Sequence, residues 1–250
     1  MTETNLQSNQ FTIQNPTGSS SSRPLELRHL SHDLRGPLNS ILGFSELLLD
    51  GVEGPLTDLQ SEDIAAIRHS AKHLLQLINT VVDLSKLAAD ELRIDFADIL
   101  LADVIQKVVP LIKREMSAEI VVNMPHPMPM VWGDPDRIGQ IIFIVSHFLI
   151  NQEKAKKFSL IVELDEADVT LRMIAPNLFL PTSKLDEIFE LTVHVDAQGH
   201  SKLSYGGVEL PLAWQLAACH QGRLWVESGE EAGTCFFLKL PLAAASPAKK

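Results

Sequence analysis

The chain has 250 residues, 45% apolar and 21% charged, which suits one large folded domain or two small ones and excludes a chain disordered throughout. A net charge of −11 at pH 7 argues against a general nucleic-acid binder. No run reaches the roughly 18 apolar residues of a membrane span, and the N-terminus lacks a basic-then-apolar signal, so a cytoplasmic protein with no membrane insertion is expected.

Residues 1–22 are rich in Ser, Thr, Asn and Gln and read as a disordered tail, as does the short segment 244–250. Over 23–90 the pattern is helical. Leu27, Leu30, Leu34, Pro37, Ile41, Phe44 and Leu48 alternate steps of three and four, a heptad seam crossed by one proline. The break Gly51-Val52-Glu53-Gly54-Pro55 is too glycine-rich to stay helical. A second seam follows through Ile64, Ile67, Ala71, Leu74, Ile78 and Val81, with Thr57 and Gln60 spaced for a capping box at its start. Two long helices around a short loop make an antiparallel hairpin. One hairpin leaves much apolar surface wet. Pairing of two copies through residues 25–88 into a four-helix bundle is the expected solution, with packing on the chain's own C-terminal domain as the alternative.

Residues 95–243 mix strand-like and helix-like runs. Strands are expected at 119–123, 158–163, 169–174, 223–227 and 234–240, and helices at 101–115, 135–150 and 208–220. The mixture predicts an α+β fold, a sandwich with helices on one face of the sheet. Cys219 and Cys235 have no CxxC spacing and read as two buried thiols. Trp132, Trp225 and Phe236 are expected in the core. Lys154-Ala155-Lys156-Lys157, a compact basic cluster, reads as a solvated helix end rather than a phosphate site, and no metal site is expected.

His32 lies two residues from both Leu30 and Leu34, about 200° around the helix, so it points outward. Its surroundings read Ser31-His32-Asp33-Leu34-Arg35-Gly36-Pro37-Leu38, continuing as Ile41-Leu42-Gly43-Phe44-Ser45-Glu46-Leu47-Leu48. This segment resembles the phosphoacceptor box of sensor histidine kinases. The resemblance implies that His32 carries a phosphoryl group, that Asp33 orients the ring as general base, and that Arg35 contacts phosphoryl oxygens. A neutral imidazole is a competent nucleophile for that step. Pro37 would weaken the backbone ladder beside it. Kinases that also act as phosphatases usually carry Thr or Asn four residues beyond the histidine; here it is Gly36, which favours transfer over dephosphorylation.

The remainder resembles the GHKL-type ATPase domain of the same kinases through Asp134-Pro135-Asp136-Arg137-Ile138, Leu185-Asp186-Glu187-Ile188-Phe189-Glu190, His220-Gln221-Gly222-Arg223-Leu224-Trp225-Val226-Glu227-Ser228 and Gly233-Thr234-Cys235-Phe236. The resemblance also marks where nucleotide contacts would fall. The magnesium-binding asparagines correspond to Ile144 and His147, and isoleucine cannot ligate a hard cation. The adenine-reading Asp-x-Gly-x-Gly corresponds to Ala175, Asn177 and Phe179. Two lid glycines correspond to Glu209, a charge set against triphosphate, and Pro211, which lacks a backbone donor.

No ATP or magnesium cofactor is therefore expected. Magnesium would come with a response-regulator receiver domain, the expected partner. The preferred expectation is a degenerate kinase serving as a phosphorelay protein that exchanges phosphoryl groups between His32 and receiver aspartates. Two alternatives stand: a non-enzymatic scaffold that binds a receiver or a partner histidine kinase, and an unconventional ATP-dependent autokinase.

Overall fold

The computed structural model describes residues 23–152, 157–191, 193–195, 201–203 and 205–243. Both expected tails and residues 154–156 of the basic cluster lie outside them. Lys157 opens a strand and pairs with Glu119 at 2.9 Å.

Helices α1 (Arg23–Leu49) and α2 (Asp58–Ala88) form the hairpin. The chain leaves α1 through Gly51 (φ +71°) and Gly54 (φ +117°), conformations that L side chains rarely adopt. Thr57 then caps α2: its Oγ1 accepts from the Gln60 N–H at 3.3 Å, and the Gln60 side chain accepts from the Thr57 N–H at 3.0 Å. Ser31, Leu38 and Ser45 are buried at seven-residue spacing, so they form the inner line of α1. The apolar seam lies elsewhere. Leu30, Leu34, Ile41 and Phe44 on α1, and Ile67, Leu74 and Val81 on α2, are exposed, Phe44 by 64%. Each helix thus has one line for its sister and a second, apolar line left open.

The second unit begins with β1 (Ala97–Leu100), α3 (Leu101–Met116), β2 (Glu119–Asn123), β3 (Met130–Gly133) and α4 (Pro135–Gln152). It continues through β4 (Lys157–Leu164), β5 (Asp168–Ala175), the one-turn α5 (Thr182–Leu185), β6 (Val193–Val195) and β7 (Ser201–Leu203). It closes with α6 (Glu209–Cys219), β8 (Arg223–Gly229) and β9 (Gly233–Pro241). Five strands form a sheet in the order β2-β4-β5-β9-β8, with β2 parallel to β4 and the other neighbours antiparallel. Strict alternation of burial along β5 and β9 turns one face toward α3, α4 and α6. Leu171, Met173, Phe236 and Leu238 meet Ile141, Val145 and Leu216 in that core. The fold is a helical hairpin followed by an α/β sandwich.

Every expected strand and helix of this unit is present within a residue or two of its expected bounds. The short β1, β6, β7 and α5 were not expected; runs of three or four residues carry too little periodicity to stand out. Three side-chain expectations need correction. Trp225 lies on the open face of the sheet, stacked on Phe237 at 4.8 Å with the Arg223 guanidinium over its ring, not in the core. Trp132 is half-buried against Phe96. Cys219 and Cys235 are half-buried rather than buried, and desolvation still pushes both thiols up. Phe236 is fully buried.

The Asp134 carboxylate starts α4. Its Oδ1 accepts from the Asp136 and Arg137 N–H groups at 2.9 and 3.1 Å, and its Oδ2 accepts from the Asp95 N–H at 3.0 Å. The Asp134 N–H donates in turn to His220 Nε2 at 3.1 Å. That leaves His220 Nδ1–H to donate to the Leu216 carbonyl at 2.7 Å, which fixes the neutral tautomer, and burial lowers the pKa of this imidazole. Among the described residues no helix is long and apolar enough to cross a membrane.

Candidate functional site

Two regions carry the residues singled out from the sequence. The first is the middle of α1. His32 and Asp33 are among the most open side chains there, 86% and 78% exposed. His32 Nδ1 faces Asp33 Oδ1 at 3.4 Å, so Nε2 is the ring nitrogen left to solvent. An imidazole whose Nδ1–H points to a carboxylate presents a lone pair at Nε2, the form that attacks an electrophile. Pro37, inside the helix, removes the amide that would bond the Asp33 carbonyl. Arg35 reaches across the hairpin, where its guanidinium donates to Asn79 Oδ1 of α2 at 2.8 Å. At Gly36 a Cβ would meet nothing within 4 Å, so the position is open space on the helix surface.

The second region lies where α4, α6 and the sheet converge. Ile144 is buried and presents only carbon. His147 Nδ1 faces Glu209 Oε2 at 3.4 Å, with both side chains about 15% exposed or less. Asn151, one turn on, meets the same imidazole at 3.1 Å, and Phe143 stacks near it with centroids 6.3 Å apart. One residue beyond His147, the Phe148 ring packs edge-on against Tyr205 at 5.6 Å and Phe236 at 5.7 Å, and Phe189 joins Phe236 at 6.1 Å. Ala175 is fully buried, while Asn177 and Phe179 are exposed. Gly233 passes so close to the Ala175 carbonyl and to Pro176 that no side chain fits there. Thr234 Oγ1 donates to the Leu178 carbonyl at 2.8 Å, tying this loop to the β8–β9 turn. Pro211 is buried in the first turn of α6. Of the seven positions marked from the sequence, the structure brings His147 and Glu209 into direct contact.

A junction joins the two regions. Arg137 of α4 donates to Asp83 of α2 at 2.8 Å and to Gln140 Oε1 at 2.9 Å, and Gln140 donates to the same Asp83 oxygen at 3.3 Å. Lys72 and Glu115 pair at 3.3 Å farther along, and the His73 and His147 rings lie 6.0 Å apart. Between these contacts runs a cleft of about 610 Å³, lined by Leu42, Leu75, Asn79, Val104, Gln140 and Phe143 among others.

The family described as "His Kinase A (phospho-acceptor) domain" matches residues 24–90, and "Histidine kinase-, DNA gyrase B-, and HSP90-like ATPase" matches residues 133–244. The chain belongs to the sensor histidine kinase superfamily. Curated relatives of this superfamily include the circadian input-output histidine kinase CikA of Synechococcus elongatus, 26% identical over 86% of this chain and 29% of that protein. The autoinducer 2 sensor kinase/phosphatase LuxQ of Vibrio cholerae is 28% identical over 86% of this chain and 26% of that protein. The sensor protein kinase WalK of Staphylococcus aureus is 26% identical over 85% of this chain and 52% of that protein. The chain thus spans about half or less of the length of these histidine kinases. Among solved structures, full-length ShkA in complex with AMPPNP matches with TM-score 0.66 and 25% identity over 88% of this chain and 46% of that one. The histidine kinase ThkA in complex with the response regulator TrrA matches with TM-score 0.57 and 18% identity over 92% of this chain and 64% of that one.

Within this histidine kinase framework the sequence reading missed four contributors: Asn79, Asp83, Phe148 and Tyr205. A weak signal existed for the first two, since they are polar residues set among the apolar positions of the helical stretch Leu74–Leu84. Phe148 and Tyr205 gave none, because aromatic residues beside apolar neighbours read only as core.

Proposed function

We propose that this histidine kinase superfamily member works as a phosphorelay protein: His32 takes a phosphoryl group from a receiver aspartate and gives it to another. The observation that carries the reading is the contrast between the two regions. His32 stands in solvent with Nδ1 toward Asp33 and Nε2 free, whereas His147 and Glu209 are engaged with each other. The donor set of the second region does not fit magnesium triphosphate. Ile144 offers no ligand, Glu209 adds a negative charge beside His147, and Ala175 has no carboxylate to read adenine.

The transfer needs no nucleotide. His32 Nε2 forms the N–P bond as the aspartyl O–P bond breaks, and the receiver carboxylate leaves with the bonding electrons. The proton stays on Nδ1, where Asp33 balances the ring's positive charge. A magnesium ion held by the receiver would supply the charge that offsets the phosphoryl oxygens. A second copy of the chain is the proposed cover for the open seam Leu30, Leu34, Ile41 and Phe44, completing a four-helix bundle. A scaffold that only binds would use the same seam but has no need of His32. The autokinase reading rests on the likeness to ShkA, a protein solved with a nucleotide analogue.

Nucleotide binding separates these readings. Titration calorimetry with AMPPNP and magnesium is expected to give no heat beyond dilution; saturable micromolar binding would restore the autokinase. Replacing His32 with Ala is expected to abolish the cellular effect of the protein, and an unchanged effect would favour the scaffold.

A further inference from the structure

Arg35 lies one turn beyond His32 on α1, near the edge that turns toward α2. A long cationic side chain at such a position ordinarily samples several rotamers in water, and fixing it costs rotamer entropy. Here its guanidinium is tied across the hairpin to the Asn79 side-chain carbonyl at 2.8 Å, within ordinary hydrogen-bond range. Guanidinium has five N–H donors in a rigid plane, so one bond sets the orientation of the fork and leaves most of it available for phosphoryl oxygens. The chemical nature of the acceptor matters. A neutral amide holds the fork without cancelling its charge, whereas a carboxylate would compete with the incoming phosphoryl group. Asn79 is itself held in place on two sides. Thr80 beside it is buried at 2% exposure, and Asp83, one turn on, is clamped to Arg137 and Gln140 of α4. The α2 segment that supports Arg35 is therefore the segment docked on the second unit.

We propose that Asn79 is a positioning residue for phosphoryl transfer at His32, fixing the orientation of the Arg35 guanidinium one turn along α1 from the histidine. This rests on the phosphorelay reading above. Because Asn79 acts only through Arg35, its effect has a signature that a general structural role lacks. The role is conditional on the arginine.

The test is a double-mutant cycle on the full chain, reading the rate of label transfer to His32 from a radiolabelled phosphorylated receiver. Alanine is a good helix former, so Asn79→Ala keeps α2 intact, and a thermal melt of each variant checks folding. Asn79→Ala is expected to slow transfer about tenfold, the size of a typical coupling between contacting residues, and Arg35→Ala by at least as much. In the Arg35→Ala background, Asn79→Ala should change nothing further. An unchanged rate in Asn79→Ala overturns the inference, and so does an equal slowing in both backgrounds. If the wild-type chain takes no label from any receiver, the phosphorelay reading falls and the inference falls with it. If wild type is labelled and the cycle is additive, only the inference falls.

Discussion

The two ends of this molecule have treated their polar groups in opposite ways. On α1, His32 and Asp33 are held in water, with one ring nitrogen oriented and the other free. Between α4 and α6, His147 and Glu209 have turned toward each other, and aromatic rings from Phe148, Phe189, Tyr205 and Phe236 pack close by. A group poised for chemistry is left accessible and lightly partnered. Glu209, by contrast, is largely buried, with Oε2 turned to His147 and Oε1 enclosed without a hydrogen-bond partner. That difference in exposure is what the proposed reading rests on, with reactivity at the hairpin and support from the sandwich.

The comparison can be broken most strongly at Ala175. This methyl group is fully enclosed, so Ala175→Asp puts a carboxylate where no room was left for its hydration, and a loss of about 3–5 kcal/mol is expected from urea unfolding. A variant as stable as wild type that also gained AMPPNP binding would mean the nucleotide region is still open. The junction comes next. Asp83→Ala leaves Arg137 at a part-buried position without its carboxylate, with an expected cost of about 1–2 kcal/mol. Limited proteolysis between hairpin and sandwich should accelerate in that variant, and an unchanged cleavage rate would argue that the clamp holds nothing.

A third experiment addresses the sandwich alone. The folded-state pKa of His220 is lowered by burial, so below its ordinary value of 6.5 the unfolded chain takes up a proton that the folded chain resists. Stability linked to this residue is complete above that pH and declines as pH falls, by at most about 1.4 kcal/mol per pH unit. Denaturation of wild type and His220→Gln between pH 7.5 and about 5 should show the steeper decline in wild type; parallel curves would contradict the burial argument. The smallest effect concerns the hairpin alone. Gly36→Ala adds a methyl to open helix surface and should stabilise by about 0.5–1 kcal/mol, seen as a higher melting temperature.

Much of this was legible in the sequence, for reasons that particular residues make clear. The long elements declared themselves by periodicity, and His32, set midway between Leu30 and Leu34, was placed outward by helix geometry alone. Thr57 and Gln60 cap α2 as their spacing indicated. What sequence could not give was pairing across the fold. Glu209 could be read as a charge set against phosphate, but its closure on His147 depends on where α6 lies against α4. Arg35 and Asn79 meet only because the hairpin closes in one register. Trp225 was misplaced because both faces of β8 carry large residues and alternation alone does not say which face is covered.

The measurement closest to the central claim offers wild-type protein two sources of label: radiolabelled ATP with magnesium, and phosphorylated receivers. The account predicts label from a receiver, absent in His32→Ala, and none from ATP. Label on His32 from ATP would contradict it.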